Sequence, residues 1–222
     1  CNGCRRCFVD CPYGAIAMLP HPDKPGHELA RVLPELCASC GICAGACPSS
    51  TPFRSVEELV TGIDMPRQPV SKLREEMERK IAALAVSPKI VVFGCECAAD
   101  ARRLESAGTA VLNLMCSGLL PPSFVEYALR GGADGVLVAG CREGSCAYRF
   151  GTQWTEQRLR GAREPHLRTA NMPLERLRLA WADPHESGSL ETALNEFRKH
   201  LQTRGADEKR PRAYTRRIAH HG

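Results

Sequence analysis

Two copies of one cysteine pattern, C-x2-C-x2-C-x3-C-P, constrain this chain more than any other feature. Cys1, Cys4, Cys7 and Cys11-Pro12 form the first, and Cys37, Cys40, Cys43 and Cys47-Pro48 the second. They hold eight of the thirteen cysteines in the 222 residues. An odd total with this clustering argues against a disulfide framework. Disulfide-dense secreted domains are small and follow a secretory leader, and no leader pattern is visible. Thiolate metal ligands in a reducing compartment, the cytoplasm, are the expectation. Cys1 is already a motif residue, so the sequence reads as a piece of a longer polypeptide. No run approaches the roughly 18 apolar residues of a membrane helix. Membrane association is expected only through a partner or through residues upstream of Cys1.

The repeated run resembles that of bacterial two-cluster ferredoxins, whose fourth cysteine crosses to the other cluster. Two-residue gaps let three sulfurs of one tight loop converge on a cubane, and a short loop cannot also enclose its fourth corner. The resemblance implies one [4Fe–4S] cluster on Cys1, Cys4, Cys7 and Cys47, and another on Cys37, Cys40, Cys43 and Cys11. Pro12 and Pro48 end the loops and remove backbone donors. Gly3, Gly14, Gly41 and Gly45 allow tight turns. Ala15–Met18 reads as a short strand. Zinc also takes four cysteines, but usually from two C-x2-C pairs separated by a spacer. His21 and His27, between the runs, read as loop surface.

A connector follows. Ser55-Val56-Glu57-Glu58 has a capping-box pattern. Ser71 reads as the cap of a longer helix with Leu73, Met77, Ile81 and Leu84 in one stripe, supported by Glu75/Arg79 and Glu76/Lys80 pairs. That stripe fits packing between domains or docking to a partner.

From Lys89 the pattern alternates. Ile90–Phe93, Ala110–Leu112 with Leu114, Val136–Ala139 and Arg176–Trp181 read as strands. Ala98–Ala107, Pro121–Arg130 and a stretch carrying Leu190, Leu194, Phe197 and Leu201 read as helices. This predicts a small parallel sheet covered by helices, of flavodoxin- or Rossmann-like topology. Cys95 and Cys97 follow the first strand, Cys116 the second, and Cys141 and Cys146 the third. Functional groups in open α/β sheets gather beyond the carboxyl ends of the strands. Parallel pairing would set Cys95, Cys116 and Cys141 side by side, with Cys146 folding back from a turn at Gly144. A cluster, a zinc site, a dithiol or plain buried thiols all fit that spacing.

Residues 88–203 resemble a known family, the delta subunit of methyl-viologen-reducing hydrogenase. Its likeness lies in Phe93-Gly94-Cys95, Met115-Cys116-Ser117-Gly118, Gly132–Val138, Gly140-Cys141, Cys146-Ala147-Tyr148 and Leu177–Trp181. The resemblance implies a [2Fe–2S] cluster on Cys95, Cys116, Cys141 and Cys146. It also implies transfer of electrons between a hydrogenase and heterodisulfide reductase. The family often has C-x2-C or C-x2-S after its first strand. Here C-x-C stands there, which makes Cys97 a substitute ligand for Cys95.

The expected organisation is an α+β ferredoxin-like dicluster domain (1–52), a helical connector (53–87), the delta-subunit-like α/β domain (88–203) and a basic tail (204–222). The tail carries six basic residues against Asp207 and Glu208, a net of +4 out of +5 for the chain. It therefore reads as a solvated segment, not a nucleic-acid surface. The expected function is an electron relay with protein partners: hydrogenase, heterodisulfide reductase-like or flavoprotein subunits. The alternatives are a fragment of a larger flavin-containing oxidoreductase of the heterodisulfide reductase type, or a ferredoxin fused to a zinc or thiol docking module. No nucleophile–base pair and no phosphate-binding glycine loop is visible, so no stand-alone catalysis is expected.

Overall fold

In a computed structural model, residues 1–54, 62–169 and 172–204 are described. The Ser55–Glu58 cap pattern and nearly all of the basic tail lie outside them.

The first cysteine run wraps onto a one-turn helix, α1 (Arg6–Val9), and the second onto α2 (Ile42–Gly45). Between them lies an antiparallel hairpin, β1 (Ile16–Pro20) and β2 (Glu28–Val32), with Ile16 opposite Val32. His21 and His27 close it at the turn, where the His21 N–H donates to the His27 carbonyl. The two cysteine loops repeat one backbone path. Gly3 and Arg5 have φ of 71° and 61°, and Ser39 and Gly41 have φ of 55° and 77°. Each copy thus places its glycine at a different one of the two left-handed positions.

Helix α3 (Val70–Ala83) follows the connector. Its N-cap is Pro69, with no side-chain cap, so Ser71 lies inside the first turn and not at its edge. Leu73, Met77 and Ile81 are buried, as the stripe requires. Lys80 meets Glu76 at 3.9 Å, whereas Glu75 pairs with Lys72 at 2.9 Å.

Four strands make the parallel sheet, in the order β4-β3-β5-β6: β3 (Ile90–Cys95), β4 (Thr109–Leu114), β5 (Gly135–Gly140) and β6 (Leu177–Trp181). The first three are buried nearly throughout, as a sheet covered on both faces demands. Alternation sorts their side chains between two cores. Val91, Phe93, Leu112 and Val138 face α3 and α4 (Ser123–Arg130). Ile90, Val92, Leu137 and Ala139 face α6 (Ser187–Arg204), which contributes Leu190, Leu194, Phe197 and Leu201. Helix α5 (Gly151–Leu159) follows the loop after β5. The helix expected over Ala98–Ala107 is absent. Only a 3-10 turn, Ala101–Leu104, forms there, because the Asp100 carboxylate accepts the Arg102 N–H and the chain turns at once into β4.

The cysteine-rich unit packs against the carboxyl edge of the sheet through bare backbone. A Cβ at Gly45 would lie 2.1 Å from the Gly118 carbonyl oxygen, and one at Gly118 would lie 3.2 Å from Gly151 Cα. Among the described residues no helix is long and apolar enough to cross a membrane.

Candidate metal centres

The N-terminal cysteines form two groups, and the last cysteine of each run sits with the other run. Gly62 touches both ends of the first group: a Cβ there would meet Cys47 Sγ at 3.4 Å and Cys1 Sγ at 3.6 Å. Cys7 feels Cys47 and Cys4 as neighbours. In the second group Cys11 acts on Cys40 and Cys43, and Cys37 on Cys40. Backbone N–H groups already point at these sulfurs. Ala15 donates to Cys11 Sγ at 3.2 Å and Ser39 to Cys37 Sγ at 3.4 Å. Burial raises the thiols of Cys7 and Cys43 to about 11 and about 12. Loading either group therefore displaces protons.

The α/β cysteines are brought to one place by strand register. Cys95 ends β3 opposite Leu114 of β4, so Cys116 begins only two residues beyond that pair. Cys141 directly follows β5, whose Ala139 pairs with Gly94. Gly144, at φ 84°, turns the loop so that Cys146 returns to the same edge. The four thiols make a ring: Cys95 contacts Cys116 and Cys141, and Cys146 contacts the same two. Within it the thiols of Cys116 and Cys141 hold Cys95 well below the usual thiol range, and the same pair lowers Cys146. Cys116 and Cys141, hydrogen-bonded to Cys146 and Cys95, are pushed up. Cys97 lies beside the ring: its thiol interacts with Cys95 and Cys146 and donates to the Met115 carbonyl at 3.9 Å, and its own carbonyl accepts from Cys141 Sγ at 3.3 Å. Among the described residues, no three His, Cys, Asp or Glu side chains close on a point as they would around one ion. The four thiols lie at hydrogen-bonding range of one another around the ring.

Three features of the ring are what a sulfur-bridged cluster would require. Gly151 forms a wall, since a Cβ there would come within 2.2 Å of Cys116 Sγ and 3.1 Å of Cys146 Sγ. Backbone N–H groups surround the sulfurs: Gly118 donates to Cys116 at 3.4 Å, Cys97 and Ser117 to Cys95, and Thr152 and Tyr148 to Cys146. The hydroxyls of Ser117 and Thr152 are buried there without a partner. Buried donors of that kind need an acceptor, and an inorganic sulfide would be one. The ring also abuts the second N-terminal group. Cys40, Ile42 and Cys116 pack together with Tyr13, Cys146, Tyr148 and Trp154 against them.

Comparison with known proteins finds two family matches along the chain. Residues 1–51 match the 4Fe-4S dicluster domain, and residues 90–205 match the methyl-viologen-reducing hydrogenase delta subunit family. This chain belongs to that family. Curated relatives include the iron-sulfur subunit of the F420-non-reducing hydrogenase of Archaeoglobus profundus, 30% identical over 118 residues (50% of this chain, 85% of that protein). The vhc iron-sulfur subunit of the F420-non-reducing hydrogenase of Methanococcus voltae is 29% identical over 126 residues, 53% of this chain and 87% of the relative. A third relative is a subunit of the ferredoxin/F420H2-dependent CoB-CoM heterodisulfide reductase of Methanosarcina acetivorans, 39% identical over 95 residues, or 43% of this chain. The match spans only 12% of the length of that third protein.

In this member Ser117 and Tyr148 stand beside cysteines in the family-like motifs, whereas the wall residue Gly151, Thr152 and Tyr13 carry no signal in the sequence that would single them out. Tyr13 and Tyr148 belong to no metal-ligand pattern. Arg149 lies over the Tyr13 ring at 4.9 Å and donates to the Pro12 carbonyl at 2.9 Å, a tie spanning the two units. The buried ion pair between Asp10 and Arg158 also joins them. Helix-forming apolar periodicity does not announce a buried arginine, so spacing had nothing to offer there.

Proposed function

We propose that the chain is a three-centre electron relay. Two [4Fe–4S] clusters sit on Cys1, Cys4, Cys7, Cys47 and on Cys37, Cys40, Cys43, Cys11. A [2Fe–2S] cluster sits on Cys95, Cys116, Cys141 and Cys146, with Cys97 beside Cys95 and outside the set. The observation that carries the reading is that Cys40 and Cys116 share one small buried cluster with Ile42, against which Cys146, Tyr13 and Tyr148 pack. That cluster supports a path between the second cubane group and the thiol ring. When bound, each cluster supplies a one-electron couple. The chain's own residues fix the spacing, exclude water and aim N–H groups at sulfur, which sets the potentials.

The units of the relay are the dicluster domain (1–52), the connector (53–87), the α/β domain (88–203) and the basic tail. In the α/β domain's own numbering the sheet order is 2-1-3-4, the start of the flavodoxin-like order. Its partners are protein redox subunits of hydrogenase, heterodisulfide reductase-like or flavoprotein type, in the cytoplasm. The likeness to a component of heterodisulfide reductase favours a second reading, in which this segment is the relay end of a larger flavin-containing oxidoreductase.

Iron, acid-labile sulfide and zinc per anaerobically purified chain, with EPR of the dithionite-reduced sample, test the relay. About ten irons are expected: four, four and two. Eight irons, or zinc at the α/β site, would overturn the third centre.

A further inference from the structure

Arg158 is wholly buried (0% side-chain exposure), and Asp10 nearly so (4%). One guanidinium nitrogen of Arg158 donates to the Asp10 carboxylate and another to the Gly118 carbonyl at 3.2 Å. Asp10 directly precedes Cys11, a member of the second cubane group. Gly118 also donates its N–H to Cys116 Sγ. Arg158 therefore joins the loop of one centre to the loop of the other. Arg163 donates to the second oxygen of Asp10 at 2.6 Å, anchored over Trp154 at 4.5 Å. The group holds two cations and one anion, a net +1. The Arg158 Nε–H has no partner.

Stability alone does not account for this arrangement. A buried ion pair gains little over apolar residues of the same volume, because desolvation offsets the attraction. What it does supply is fixed geometry and a fixed charge where water is excluded. Adding one electron to a cluster makes its site more negative by one, and a nearby buried cation favours that form.

We propose that Arg158 is a positioning and charge-setting residue. It braces the Cys11 loop against the Cys116 loop, and its cation raises the reduction potentials of the centres on either side. The proposal rests on the relay reading for the α/β centre, but only on the dicluster domain for the other. A unit charge roughly 10 Å from a redox centre, at an effective dielectric of ~20, changes an equilibrium by about tenfold.

The test is an EPR-monitored redox titration of the loaded chain and its Arg158→Met, Arg158→Lys and Asp10→Asn variants, with thermal unfolding in parallel. Arg158→Met should lower the potentials, cutting the reduced-to-oxidised ratio at fixed potential about tenfold, which is 59 mV for a one-electron couple. Asp10→Asn should raise them, because it leaves the cations uncompensated. Arg158→Lys should keep the potentials while lowering the unfolding temperature. A brace without an electrostatic role would move Met and Asn variants in the same direction, or neither, and that result overturns the proposal. Should Arg158→Met fail to fold, a rise in Asp10→Asn with no change in Arg158→Lys supports it, and any other pair of results overturns it. Should the α/β site hold no iron, the relay reading falls. The [4Fe–4S] centre at Cys11 then still reports the opposite shifts.

Discussion

Replacing Gly151 by alanine should remove the α/β centre and leave the other two. The added Cβ would sit 2.2 Å from Cys116 Sγ, where ordinary contact begins near ~3.5 Å. The sulfur would have to retreat by roughly 1 Å, and Cys116 is fully buried with no exposed side to move towards. Overpacking of this kind costs about 1–3 kcal/mol. Gly151 opens α5, and alanine gains about 1 kcal/mol over glycine in a helix. The net cost to global stability is then about 0–2 kcal/mol. The site has no such offset, because ligand geometry tolerates only about 0.5 Å. Gly151→Ala should thus still fold, with an unfolding midpoint lowered by at most about 8 °C. Iron should fall from about ten to about eight per chain, with loss of the third EPR signal. Gly188→Ala, where the new Cβ meets nothing within 4 Å, is the control and should keep every iron. Ten irons and an unchanged third signal in Gly151→Ala would refute the wall, and with it the placement of a cluster inside the thiol ring.

Cys95→Ser should abolish the third signal, while Cys97→Ser should leave iron content unchanged; EPR and iron analysis of the pair decide which is the ligand. Gly45→Ala drives a Cβ to 2.1 Å from the Gly118 carbonyl; it should loosen the contact between the units, seen as faster limited proteolysis in the connector with the α/β core intact. Glu186 is lowered to about 2 by its hydrogen bonds from Arg142, from an ordinary value of 4.5. Its folded pKa lies below its unfolded one. Its contribution is therefore complete above about pH 4.5 and is lost as pH falls towards 2. Glu186→Gln should flatten the acid limb of a stability–pH curve measured by urea denaturation in that window.

The strands were readable because Ile90–Phe93, Val136–Ala139 and their partners are continuous apolar runs, which only a sheet buried on both faces requires. Parallel order then placed Cys95, Cys116 and Cys141 at one edge from the sequence alone. Helix α5 was invisible for the opposite reason. Its inward face carries Thr152, Thr155 and Arg158, polar residues that no apolar stripe announces; Thr155 bonds the Gly151 carbonyl within the helix, and Arg158 reaches Asp10 in the other unit. Ala98–Ala107 misled because alanine and leucine favour a helix wherever nothing intervenes, and Asp100 intervenes by capping too early. Whether Cys95 or Cys97 joined the ring also depended on β3 ending at Cys95, which a C-x-C spacing leaves open.

Because three strands each deliver a cysteine at their carboxyl ends, the sheet acts as a ruler. A residue added within β3, β4 or β5 would turn that strand's cysteine to the opposite face. A residue added at the other edge, in the Ser106–Gly108 turn or the Gly131–Asp134 turn, would leave the thiols where they are. Length can drift on one side of this domain and is frozen on the other, so grafts and fusions belong at the edge away from the metal.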